Sequence, residues 1–272
     1  MQDFALVRMG VRMIGFALRV RNKARREIVG RLSSVLDLPR RRSPWRTTLG
    51  SVPVRSKVRA SMPQIFTEIF ERNVWLGDES RSGQGSDMTQ TEIVRSALPD
   101  LIRRFGVKTM LDVPCGDFNW MKTVDLDVDY IGGDIVPALI ENNNRQYASP
   151  ARCFRVLNVC RDELPAVDLL FCRDLLVHLS FDDARRALGN IRRSGSRYLL
   201  TTTFSDRHGN DEIQTGQWRP LNLRLAPFNL PEPLVIINEG CTEWDGAWAD
   251  KCLGLWRLAD IRLPANHGLG DE

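Results

Sequence analysis

The chain has 272 residues, 43% hydrophobic and 26% charged, the composition of an ordinary globular protein large enough to bury a sizeable core. Six cysteines without a CxxC pair, and three histidines without metal-ligand spacing, give no reason to expect a disulfide framework or a zinc site; reduced thiols in a cytosolic protein are expected. The formal charge of +4 is unevenly distributed: residues 1–60 carry 15 Lys and Arg against 3 Asp and Glu, a net of +12, while the remainder is acidic at −8.

Between Phe4 and Leu36, the cations Arg8, Arg12, Arg19, Lys23 and Arg26 recur at helical steps, opposite Phe4, Val7, Met13, Phe16, Leu18 and Val20. Such a helix fits an anionic membrane surface, and it equally fits a basic segment docked on the acidic body or left disordered. Three arginines within the first 20 residues argue against a membrane-spanning helix, and no clean apolar centre marks a signal peptide. Nucleic acid is not the expected partner, because no aromatics interleave with the cations as a stacking platform requires. Pro39 to Pro44 then reads as a linker, which makes residues 1–60 an arm.

Residues 61–106 read as a helical cap. Ile65, Ile69 and Phe70 keep helical spacing, and a second helix runs through Ile93, Leu98 and Leu101. Between them lies a Gly- and Ser-rich stretch after Trp75, running from Asp78 to Ser86. It is either a plain connection or, with Arg81 and its hydroxyls, a lid over a ligand.

From 107 to about 265 the elements alternate. Strands are expected at Lys108–Val113, Asp129–Gly133, Arg152–Leu157, Val167–Cys172 and Arg197–Phe204, and helices at Pro137–Tyr147, Leu175–Leu179 and Phe181–Ser194. That rhythm predicts an α/β protein with a doubly wound, mostly parallel sheet. A polar, proline-rich excursion from Ser205 to Pro233 follows. The runs Leu234–Asn238 and Lys251–Leu258 then complete seven strands as an antiparallel C-terminal hairpin, leaving 266–272 as a tail.

Two acids end the first two strands, Asp112 and Asp134, one strand-helix-strand unit apart. A carboxylate at the second position can accept both hydroxyls of a ribose. The intervening turn, Pro114-Cys115-Gly116-Asp117, keeps one glycine of a GxGxxG pattern. The close backbone approach that a pyrophosphate needs is therefore not expected, and a nucleoside without phosphates, such as S-adenosylmethionine (SAM), fits better than NAD.

On these residues the stretch from Val107 to about Leu263 resembles the class I SAM-dependent methyltransferases. The resemblance implies SAM as cofactor. Asp112, Pro114, Cys115, Gly116 and Asp117 match its first motif, with departures at Pro114 and Phe118. Asp134 and Ile135 stand at its ribose-binding acid, Asn158 and Val159 at its adenine contact, and Arg173-Asp174 at its active-site edge. The Trp75 to Ser86 loop, Thr201–Phe204 and Gly216–Asn222 resemble a subgroup of small bacterial methyltransferases, which supplies no acceptor.

Methyl transfer asks for alignment and, with a protic acceptor, for a base. Asp174 and His178, four apart on an expected helix, are the candidates, each set against a capping or structural role. Arg173 is a candidate for the SAM carboxylate. With Arg219 as a further catalytic candidate, and Trp75, Ser82, Trp218 and Asn222 as substrate contacts, the expected acceptor is small and polar, a saccharide or related metabolite methylated on oxygen. The rival readings are an NAD-dependent oxidoreductase and a non-catalytic SAM-fold module that docks through its arm. The expected location is the cytoplasm, with contact to the inner face of the membrane through residues 4–36.

Overall fold

The computed structural model describes residues 60–263; the basic arm and the C-terminal tail lie outside the described residues. Their elements are α1 (Met62–Glu71), α2 (Glu92–Phe105), β1 (Thr109–Asp112), β2 (Asp129–Asp134), α3 (Pro137–Tyr147), β3 (Arg152–Val156), β4 (Leu169–Cys172), α4 (Phe181–Arg193), β5 (Tyr198–Phe204), β6 (Val235–Asn238), a short helical turn at Glu243–Gly246, and β7 (Lys251–Arg257). Single 3-10 turns occur at Gln84–Ser86, Met121–Thr123, Leu176–His178 and Leu258–Asp260.

The seven strands form one sheet in the order β3-β2-β1-β4-β5-β7-β6. The first five are parallel. β7 runs antiparallel to β5, with Thr201 opposite Gly254, and antiparallel to β6, with Ile237 opposite Leu253. The order reverses between β1 and β4, and an open parallel sheet makes its crevice where such a reversal brings strand ends together. Register puts Asp112 beside Gly132 and Phe171, so the tips of β1, β2 and β4 meet on one edge.

Strand alternation explains the two-sided core. Met110, Leu169, Phe171, Leu200 and Leu255 face a layer containing Val94, Leu98, Leu101 and Ile102 of α2. Leu111, Leu170, Cys172 and Leu199 face the other way, toward Ala184, Leu188 and Ile191 of α4. α2 is therefore a sheet-covering helix. α4 is fixed at both ends: Ser180 Oγ accepts from the Asp183 N–H at 3.2 Å, acids occupy its first turn, and Arg192 and Arg193 its last. The excursion between β5 and β6 has no regular element, yet Leu221, Leu223, Phe228 and Leu230 bury it against the α4 layer. Among the described residues no helix is long and apolar enough to cross a membrane.

One expectation needs correction. Leu175–Leu179 is not an α-helix: Asp174 takes φ +56°, and only a 3-10 turn follows, so Asp174 and His178 do not share a helix face. After β1 the chain makes the short turn Met121–Thr123, and no α-helix begins at the glycine turn.

Candidate active site

The strand tips open into a cavity roofed by α1 and by the Trp75–Ser86 loop. All the sequence-predicted site residues line it except Trp218, Arg219 and Asn222. The glycine turn is its floor. Gly116 takes φ +53° and Phe118, standing where a glycine is usual, φ +59°. A left-handed non-glycine costs roughly 1–2 kcal/mol. The Phe118 ring offsets that by packing on Tyr130, Tyr147 and Phe154, with centroids 5.1–5.4 Å away.

Asp134 stands at the tip of β2. Its Oδ2 accepts from the Gly116 N–H at 3.1 Å and its Oδ1 from the Val136 N–H at 3.0 Å. Burial pushes its pKa up to about 6 against those backbone donors, so the group is an anion at neutral pH. Its oxygens retain lone pairs for further donors. Asp112 sits deeper and accepts from the Tyr130 hydroxyl at 2.5 Å. Asn158 Oδ1, expected to meet a purine amine, already accepts from the Cys160 N–H at 3.0 Å and has one lone pair left for a ligand. Cys115, nearly buried, has its thiol pushed far up by burial and behaves as wall.

At the β4 tip, Arg173 is not available as a carboxylate clamp. Its Nε and Nη2 donate to Glu239 Oε2 at 3.2 and 2.7 Å, Nη2 also donates to the Gly85 carbonyl at 2.9 Å, and Nη1 lies 3.1 Å from Asp174. Lys251 Nζ donates to Asp174 Oδ2 at 2.7 Å. The four charges neutralise one another with Arg173, Glu239 and Lys251 almost fully buried, and removing one partner of such a cluster costs several kcal/mol. Burial would raise the Asp174 pKa, but the Arg173 guanidinium and the Lys251 ammonium prevail and hold it well below the usual carboxylate range. That corrects its expected role: a carboxylate this acidic is an ineffective base. Glu239 and Lys251 were missed in the sequence, where the one signal was a lysine opening the otherwise apolar run Lys251–Trp256.

His178 closes this end. Its Nδ1 bonds to the Gln217 carbonyl at 3.0 Å, which fixes the proton on Nδ1 and leaves Nε2 an acceptor. Its ring centroid lies 4.6 Å from that of Trp75. Burial pushes the imidazole down to about 4, against the Asp174 charge and the Gln217 carbonyl, so it is neutral at pH 7. Trp75 lines the cavity, and its indole N–H is buried with no partner among the described residues.

The loop is closed onto the turn. Ser80 Oγ and the Arg81 N–H donate to Asp117 at 2.9 and 2.8 Å. Ser82 Oγ lies so close that a Cβ on Gly116 would stand 2.2 Å from it. Asp117 thus fastens the roof. α1 adds Met62, Phe66 and Phe70 to the lining, an i, i+4, i+8 stripe that its helical period could have revealed.

Three further expectations are corrected. The Trp218 ring packs on Phe204 and Trp248, with centroids 6.0 and 4.7 Å away, outside the cavity. Asn222 is buried as a clasp, its Nδ2 donating to the Arg207 carbonyl at 3.0 Å while its own carbonyl accepts from Asn210. Arg219 lies behind the Leu176–His178 turn and donates to the Leu176 and Val177 carbonyls at 3.0 and 3.1 Å. Burial pulls its pKa down to about 10.

No family model and no curated protein matches the chain. Among solved structures it resembles the N-methyltransferase NodS from Bradyrhizobium japonicum WM9, a complex with S-adenosyl-L-homocysteine. Identity is 15%, the TM-score 0.50, and the match covers 70% of this chain and 97% of that one. The fold is that of the class I methyltransferases. Human N-acetylserotonin methyltransferase, solved with SAM, matches at 13% identity and a TM-score of 0.49 over 73% of this chain and 60% of its own, so the chain spans less than two thirds of that neighbour. Magnesium protoporphyrin IX methyltransferase from Synechocystis PCC 6803 matches at 13% identity and a TM-score of 0.43, over 58% and 83%.

Proposed function

We propose that the chain is a SAM-dependent methyltransferase. The observation that carries this reading is the Asp134 carboxylate, held by the Gly116 and Val136 N–H groups on the cavity wall at the tip of β2. That anion can accept from two ribose hydroxyls. The same turn is hostile to a pyrophosphate: it offers one glycine, no helix N-terminus, and the carboxylates of Asp112, Asp117 and Asp134. The acidic lining suits a cationic, phosphate-free nucleoside.

SAM supplies a methyl already activated on a sulfonium. What the chain adds is alignment and the exclusion of water by the closed loop. Asp174 stays ionised beneath the reacting end, its charge balanced by Arg173 and Lys251. Neutral His178 offers Nε2 to an O–H or N–H and orients the acceptor. Among the described residues no strong base faces this end, which favours an acceptor already nucleophilic near pH 7: a carboxylate, an unprotonated nitrogen or an acidic hydroxyl. The saccharide acceptor rested on Trp218, Arg219 and Asn222, and their displacement from the cavity removes that support. We place the protein in the cytoplasm, with residues 4–36 resting on an anionic bilayer.

Calorimetry tests the cofactor reading. S-adenosylhomocysteine should bind and NAD should not, and Asp134→Ala should weaken binding at least about 100-fold, the loss of two charge-assisted hydrogen bonds. NAD binding in place of S-adenosylhomocysteine, or unchanged affinity in the variant, rejects it.

A further inference from the structure

We propose that Arg81, on the roof loop, binds the α-carboxylate of the cofactor's amino-acid tail; this rests on the SAM reading above. The sheet order sets the direction. The nucleoside end lies over the tips of β2 and β3, where Asp134 and Asn158 stand, so the rest of the molecule extends over β1 and β4. That region carries the carboxyl groups of Asp112 and Asp117, beside an Asp174 already paired with Arg173 and Lys251. Acids there suit an ammonium and a sulfonium, but they repel a carboxylate unless a cation is supplied.

Among the described residues two cations line the cavity, Arg81 and Arg173. Arg173, the candidate in the sequence, is consumed by Glu239, Asp174 and the Gly85 carbonyl. Arg81 is exposed, and among the described residues no carboxylate pairs with its guanidinium. Its backbone is nonetheless fixed above the glycine turn by the 2.8 Å bond from its N–H to Asp117 Oδ2, with Ser80 and Ser82 bonded to the same carboxylate on either side. A mobile fork on an anchored backbone suits bidentate capture of a carboxylate. It also ties roof closure to the tail, because the residue that meets the carboxylate lies between the two serines that fasten the loop.

Two ligands separate this role from a general effect on the roof. S-adenosylhomocysteine carries the amino-acid tail, and 5′-methylthioadenosine has the same nucleoside and thioether without it. By calorimetry on the full chain, Arg81→Ala should weaken the first by about 5- to 10-fold, a charge-assisted pair discounted for exposure, and change the second less than about twofold. Arg81→Lys should recover part of the loss. Equal losses for both ligands, or unchanged affinity for S-adenosylhomocysteine, overturn the assignment. A wild-type chain that binds neither ligand overturns the cofactor reading, and the role of Arg81 with it.

Discussion

Asp112 is where the cavity stores its least comfortable charge. Burial, reinforced by Asp134 and opposed by the Tyr130 hydroxyl and Arg173, pushes its pKa from 3.8 up to about 7. The folded chain keeps this proton until about pH 7, whereas the unfolded chain releases it near the ordinary value. Between those limits the folded state holds more protons, so stability falls as the pH rises through that window. Asp112→Asn keeps an acceptor for Tyr130 and removes the titration. It should unfold in denaturant later than wild type at pH 8, by a few kcal/mol, and the two should converge near pH 4. A constant offset at both pH values would mean that the carboxylate is not strained. The positions of Asp112 and Asp134 are legible in the sequence because a strand followed by a tight turn needs only local chemistry. What Arg173, Asp174, Trp218 and Asn222 do is not, because their partners lie 12 to 88 residues away and depend on how β6, β7 and the excursion fold back. A guanidinium beside a carboxylate in sequence looks available until Glu239 and Lys251 arrive from another part of the sheet.

The elements themselves follow closely from apolar runs and punctuation, down to the antiparallel β6–β7 hairpin. The exceptions are turns decided by one residue's backbone. Asp174 at φ +56° cancels the expected Leu175–Leu179 helix, and its N–H bonds to Thr202 Oγ1 at 2.8 Å. Phe118 holds a glycine-like conformation that no residue-type rule assigns to phenylalanine. The roof loop is the element on which function turns, and composition left it open as linker or lid. Its fastening can be tested at Gly116. An alanine there must hold φ +53° and place its Cβ against Ser82 Oγ, so the loop has to lift. Gly116→Ala should cost about 1–2 kcal/mol of global stability, and trypsin should cut after Arg81 several-fold faster in native conditions. An unchanged cleavage rate would show that the loop does not rest on the turn.

At the scale of the whole molecule, charge divides the chain into a basic arm and an acidic body, +12 against −8. An acidic body is itself repelled by an anionic bilayer, so attachment to one has to come through the arm. Each lysine or arginine near such a surface contributes about 1 kcal/mol, lost within a Debye length as salt rises. If the segment is helical as its pattern predicts, the face bearing Phe4, Val7, Met13 and Phe16 would add burial at the headgroup boundary. Two contributions of different origin make a separable prediction. The full chain should sediment with vesicles rich in anionic lipid and not with neutral ones, and high salt should weaken the association without abolishing it. Deleting residues 1–45 should eliminate it while leaving S-adenosylhomocysteine affinity unchanged, since the described cavity-lining residues all lie at or beyond Met62. Equal sedimentation of the truncated chain would assign the contact to the body and remove the arm's membrane role. Release of the full chain by moderate salt alone would reduce the arm to an electrostatic tether without an inserted face.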